Sequence, residues 1–209
     1  MNANADHVQQ LADGLIAKWT SPKGVRLMGA GAAVVGGLLE RGPLTPVAAG
    51  ELLDWPADEV LSGFHAMDFD LETDEAGRIT GAGVSLNEQR PHTMELQGRR
   101  VTGWCAMDVL MFPVVFKEAA SAVTSRCPAT GAPISLTVTP DGVRDLTPPT
   151  AHVTLAPATG ADIREVFCNR VNIYATRELA EQAAAQDPDL AVCTVAEAWQ
   201  IGKDLADLF

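Results

Sequence analysis

The stretch His92-Thr93-Met94-Glu95-Leu96-Gln97-Gly98-Arg99-Arg100-Val101-Thr102 sets Met94 and Leu96 against Thr93 and Glu95, turns at Gln97-Gly98, and runs out again to Thr102. A period of two on either side of a glycine turn predicts a pair of short strands, half-buried and antiparallel. Immediately downstream, Trp104 to about Ala120 reads as a helix, with Pro113 kinking it or dividing it in two. A strand pair followed by a helix already points to an α+β protein.

Further downstream, Ile134, Leu136 and Val138 alternate with Ser135, Thr137 and Thr139, a strand closed by Pro140-Asp141-Gly142. Val153 and Leu155 suggest another strand. A helix from Ala161 to Phe167 should give way at Cys168-Asn169 to a strand over Val171 to Ala175. Thr176 to Ala185 reads as helix, Ala191 to Cys193 as strand, and Thr194-Val195-Ala196-Glu197 has the form of a capping box opening a last helix.

Upstream the texture is helical. Val8, Leu11, Leu15 and Trp19 recur at helical spacing up to Ser21-Pro22, and a second helix runs from about Val25 to Glu40. Thr45-Pro46 is an N-cap with proline at the first helical position, starting a short helix through Leu53. Val60, Leu61, Phe64 and Met67 mark one more helical face, and Leu71 to Thr80, turning at Asp74-Glu75-Ala76-Gly77, is a small hairpin. Helices, a helix-turn-helix and a hairpin together form a winged-helix-like pattern. The expected organisation is therefore a winged-helix-like N-terminal module, residues 1–82, followed by a catalytic α+β domain, residues 83–209, with short, mostly antiparallel strands.

A winged helix raises the question of DNA. With 15 Lys and Arg against 27 Asp and Glu, the chain has a formal charge of −12, whereas binding that rests on phosphate neutralisation needs clustered cations. The would-be recognition helix, Ala57-Asp58-Glu59-Val60, is acidic where base edges call for Arg, Lys, Asn or Gln. Neither nucleic acid nor an anionic membrane surface is an expected partner. The apolar run Ala30–Leu39 is broken by Gly31, Gly36 and Gly37 and is too short to span a bilayer. Met1 to His7 shows no secretory pattern, so a cytoplasmic protein is expected.

In that setting the four cysteines, Cys105, Cys127, Cys168 and Cys193, should be reduced thiols, and none forms a C-x-x-C pair. Cys105 and Asp108 stand three positions apart at the start of a helix, so their side chains share one face. A helix N-terminus favours a thiolate, and by that argument Cys105 is the thiol to react first. A charged Asp108 opposes the shift unless the two groups share one proton. The plainer reading makes Cys105 a small core residue and Asp108 an N-terminal helix charge. Cys168 falls near a helix C-terminus, where a thiolate needs an arriving cation or soft metal. Cys127, in the turn Cys127-Pro128-Ala129-Thr130-Gly131, and Cys193, in an apolar strand, read as structural. His7, His65, His92 and His152 lack ligand spacing and read as surface or satisfied core.

Three blocks then carry a family resemblance: Gly103-Trp104-Cys105-Ala106-Met107-Asp108-Val109-Leu110-Met111-Phe112-Pro113, Cys127-Pro128-Ala129-Thr130-Gly131-Ala132-Pro133-Ile134-Ser135-Leu136, and Val166-Phe167-Cys168-Asn169. In this order they resemble the organomercurial (alkylmercury) lyases. The resemblance implies an active site of Cys105, Cys168 and Asp108, all three contacting the mercury of substrate and product, with Cys127 as a structural cysteine. It also implies cleavage of a carbon–mercury bond to a hydrocarbon and Hg(II), without a bound cofactor and with external thiols assisting release, and possible transfer of the ion to a mercuric reductase. Where some relatives carry a second cysteine after the one matching Cys168, this chain has Asn169. The chemistry agrees: soft thiolates suit a soft metal, and a carboxyl that takes a thiol proton can hand it to carbon. Trp104, Met107 and Phe112 suit an apolar alkyl or aryl group. Two other readings stay open on sequence, a non-catalytic mercury or soft-metal binding or sensing protein on a winged-helix scaffold and a thiol redox protein. A monomer and a homodimer are equally compatible.

Overall fold

In the computed structural model, which describes residues 3–160 and 162–208, two long helices come first, α1 (Ala3–Thr20) and α2 (Pro22–Arg41). Ser21 separates them because its hydroxyl accepts from the Gly24 N–H while Pro22 occupies the first helical position. The second helix therefore begins at Pro22 rather than Val25. Next comes α3 (Pro46–Leu53), capped by Thr45 through the Ala48 N–H as its sequence predicts. A 3₁₀ turn over Ala57–Glu59 leads into α4 (Val60–His65). The hairpin of β1 (Glu72–Thr73) and β2 (Ile79–Ala82) follows and continues into β3 (Val84–Ser85).

The strand pair that opened the analysis is present as β4 (His92–Leu96) and β5 (Arg99–Gly103), and the helix after it is α5 (Ala106–Val115). That helix is shorter than the predicted Trp104–Ala120. Lys117 takes a left-handed conformation (φ 55°), the Phe116 N–H closes on Phe112 and the Glu118 N–H on Pro113, so the helix stops and β6 (Ser121–Arg126) starts. Pro113 lies inside α5 without dividing it. After β6 come β7 (Pro133–Thr139) and β8 (Gly142–Thr147), of which only β7 has a clear apolar alternation.

Past β9 (His152–Leu155), the predicted helix is α6 (Ile163–Val166); Ala161, its proposed start, lies outside the described residues. Cys168–Arg170 form a 3₁₀ turn, and the expected strand over Val171–Ala175 contracts to β10 (Ile173–Tyr174). The chain ends with α7 (Arg177–Gln186), β11 (Ala191–Thr194) and α8 (Val195–Ala206), the last opened by the Thr194–Glu197 capping box.

Two sheets result, eight strands in the order β1-β2-β3-β5-β4-β6-β7-β8 and three in the order β10-β9-β11, with antiparallel pairing throughout the described residues. The protein is thus α+β with antiparallel sheets. Helix α5 is the hinge of the packing: it lies on β4, β5 and β7 with one face and against α8 with another. It can do so because seven of its ten residues are buried and the other three are half-buried, as an apolar helix between layers requires. Helices α1 and α2 pack together, with α1 reaching β11 and α8 and α2 reaching β2. No helix among the described residues is long and apolar enough to cross a membrane.

Gly50 offers a test of this packing. The Trp55 N–H donates to the Gly50 carbonyl at 3.0 Å, and a Cβ on Gly50 would stand 2.6 Å from the Trp55 carbonyl oxygen. Gly50→Ala improves helix propensity yet forces backbone apart, so urea denaturation should show a loss of about 1–3 kcal/mol. A gain in stability would contradict the close approach.

Candidate active site

Two chain segments, remote in sequence, are fastened together here. The first leaves β5 at Gly103 and enters α5. Its Trp104 N–H donates to the Gly83 carbonyl at 2.9 Å, and its Ala106 N–H donates to the Val171 carbonyl at 3.0 Å. The second is the 3₁₀ turn that carries Cys168. It is held to β9 by Thr154, whose hydroxyl donates to the Arg170 carbonyl at 2.8 Å and accepts from the Asn172 N–H at 3.1 Å. Arg170 adds a two-pronged pair to Asp187, at 2.9 and 2.7 Å.

These ties bring Cys105, Asp108 and Cys168 together. One ligand atom from each lies within 4.8 Å of the others, and all three side chains are buried. Cys105 caps α5: its sulfur faces the Asp108 N–H, while Asp108 Oδ2 accepts from the Cys105 N–H at 2.8 Å. Gly103 makes room for this reciprocal cap, since a Cβ there would stand 3.0 Å from Asp108 Cβ and 3.1 Å from the Cys105 carbonyl.

Burial, rather than the helix end, controls ionisation. Desolvation pushes the Asp108 carboxyl up from 3.8 to about 7, against the hydrogen bonds from Cys105 and the nearby Arg90 charge, which pull it down. The Cys105 thiol is likewise pushed well above the usual thiol range, first by desolvation, then by the Cys168 side chain and the Asp108 charge. Burial therefore opposes the thiolate that the helix N-terminus favours at Cys105. A dipole effect of about 0.3–1 kcal/mol cannot match removal of the sulfur from water beside a carboxylate.

Beside the cluster lies an apolar cavity. It leaves about 70 Å³ for the centre of a water molecule, several times the 10–15 Å³ that a single water requires on the same measure. Leu15 and Trp19 of α1, Met28 and Gly31 of α2, Phe69 and Phe167 form its walls, together with the expected Trp104, Met107 and Phe112. Asp108 and Cys168 also face it, whereas Cys105, at 1% exposure, sits behind them. Trp104 is fixed by Phe69, stacked at 5.0 Å, and by the Arg164 guanidinium 4.1 Å from its ring.

The remaining candidates stay apart from the cluster. Cys127 is buried in a turn closed by the Gly131 N–H on its carbonyl at 2.8 Å. Cys193 is buried on β11, its thiol pushed up to about 12 by desolvation. His92 is a satisfied core residue, bonded to Ser125 at 2.8 Å and pushed down to about 4 by burial; His65 is exposed and pairs with Asp70. Sequence reasoning passed over Arg90, which ion-pairs with Glu72, and also Met28, Phe69 and Phe167 as cavity walls. Only the Val8–Trp19 apolar stripe gave any signal that α1 covers something.

With this geometry established, the chain can be placed among known proteins. The profile of the alkylmercury lyase family, MerB, matches residues 85–207. The chain is 40% identical over 172 residues to the alkylmercury lyase of Streptomyces lividans, covering 81% of this chain and 79% of that one. It is 38% identical over 165 residues to that of Pseudomonas putida, covering 78% and 76%. Its fold matches a crystal structure of the mercury-bound form of MerB2 with a TM-score of 0.76 at 20% identity, over 97% of this chain and 98% of that one. A profile spanning more than half of the sequence, and relatives this similar over four fifths of it, make the chain a member of the alkylmercury lyase family.

Proposed function

We propose that the protein cleaves the carbon–mercury bond of organomercurials by protonolysis, giving a hydrocarbon and Hg(II), with Cys105, Cys168 and Asp108 as the catalytic residues. The observation that carries this is the convergence of two thiols and one carboxyl at a buried point beside an apolar cavity. The proton balance closes without other groups. Cys168, the thiol that faces the cavity, displaces the exchangeable ligand of R–Hg–X, releasing HX and forming R–Hg–S. Cys105 gives its proton to the Asp108 carboxylate and adds as the second sulfur, leaving an anionic three-coordinate mercury. Asp108, now neutral, protonates the carbon, R–H leaves, and mercury stays bound to two sulfurs with Asp108 again charged. Two external thiols then carry Hg(II) away, for which a mercuric reductase is the acceptor we favour. The scheme draws on no resident cofactor.

Low dielectric serves each step. It strengthens the attraction between sulfur and metal, and it sets Asp108 near neutrality, where a group can both accept and donate a proton. We read residues 1–82 as a winged-helix-like module that supplies cavity walls rather than a DNA surface, and 83–209 as the domain that carries the chemistry. A cytoplasmic location suits a reaction that needs reduced thiols on protein and acceptor.

Three outcomes test the scheme. Incubation with phenylmercury and excess thiol should release benzene, and Cys105→Ala, Cys168→Ala and Asp108→Asn should each lower turnover by roughly 10²-fold or more; stoichiometric mercury binding without hydrocarbon would favour a sequestering or sensing protein instead. Because Asp108 must begin as a carboxylate, kcat/KM should rise with pH through about 7, and an acid limb near 4 would contradict the burial argument. Stability should follow the opposite course. The folded-state pKa is raised above the unfolded 3.8, so the folded chain holds the proton more tightly and stability falls as pH climbs from about 4 to about 7. Asp108→Asn should accordingly melt higher than the parent at pH 8 and lose that advantage towards pH 4.

A further inference from the structure

Helix α2 carries five glycines, and two of them, Gly24 and Gly37, are required by close packing. A Cβ at Gly24 would stand 2.3 Å from the Lys18 carbonyl, and one at Gly37 would stand 2.5 Å from Leu52 and 2.9 Å from Leu44. Gly31 has no such requirement: a Cβ there would meet nothing within 4 Å. It lies mid-helix, where glycine costs about 0.8–1 kcal/mol relative to alanine, and φ does not require it, since it is not among the positive-φ positions. Gly29 also meets nothing, but it is exposed, whereas Gly31 is half-buried in the cavity wall.

We infer that Gly31 is a specificity-determining position, keeping open the part of the cavity that takes bulky organic groups, aryl above all. The inference rests on the lyase reading and deepens it. Carbon must sit next to Asp108 to be protonated, and Asp108 faces this cavity, so the organic group occupies it. A methyl group needs little of the space. A phenyl ring needs the clearance that a side chain on α2 would fill. Met28, Met107 and Met111, also in the walls, have unbranched side chains that adapt to rings of different shape.

The test is the ratio of kcat/KM for phenylmercury to that for methylmercury, measured on the full chain with benzene and methane detected directly. Gly31→Leu should lower this ratio by about tenfold or more, the scale on which an apolar pocket discriminates by size, with the loss carried mainly by KM for the aryl substrate. Gly31→Ala, which the helix favours, should lower it by a smaller factor while raising Tm; it decides the matter if the leucine variant does not fold. Gly29→Leu, on the outer face of the same helix, should leave the ratio at its parental value. An unchanged ratio in the folded Gly31 variants, or an equal fall in Gly29→Leu, overturns the inference. A parent protein that releases neither hydrocarbon would instead overturn the lyase reading, so the two failures are distinct.

Discussion

A backbone hydrogen bond from the Ala106 N–H to the Val171 carbonyl joins the two segments on which the site depends. One segment presents Cys105 and Asp108, the other Cys168, and neither alone holds more than part of the proposed mercury site. The bond lies in a buried setting where an unmade partner costs about 1–3 kcal/mol, so separating the segments is expensive. Around it the fold is arranged as support. Thr154 and the Arg170–Asp187 pair hold the Cys168 turn from behind, and Gly83 receives Trp104 in front.

The second constraint is dryness. Two thiols and a carboxyl could chelate a soft ion on an exposed surface, but they could not manage its proton there. Burial raises the carboxyl to about 7, where it can exist in either form near neutral pH, and lifts the Cys105 thiol well above its usual range, so that sulfur holds its proton until a partner arrives to share the charge. The arrangement is costly to the fold near neutral pH, as sites with tuned ionisable groups often are. Helices α1 and α2 supply apolar walls to the cavity that Asp108 and Cys168 face, although they hold none of the three clustered residues.

Much of the secondary structure could be read from the chain because local signals were strong. Thr45-Pro46, the β4–β5 turn and the Thr194–Glu197 box each state their own geometry, and each is present. The end of α5 could not be read, because a lysine rather than a glycine takes the left-handed conformation that stops it. Strand β8 is an edge strand without apolar alternation, and so it left no periodic trace. For the site, the Cys105–Asp108 spacing was visible as a shared helical face, while Cys168 joined them only through family resemblance, since its approach depends on tertiary contacts. The forces on the Cys105 proton are only half legible for a related reason: a helix end is visible in sequence and depth of burial is not.

The central claim is that Cys105 and Cys168 close on one mercury atom, and mercury-edge X-ray absorption of the chain loaded with one equivalent of Hg(II), with external thiol withheld, tests it most directly. The account predicts Hg(II) bound by two sulfurs in the parent chain and unchanged by Cys127→Ala, with one sulfur lost in Cys105→Ala or in Cys168→Ala. Two-sulfur coordination that survives either of those replacements, or that disappears with Cys127→Ala in a folded protein, would contradict it.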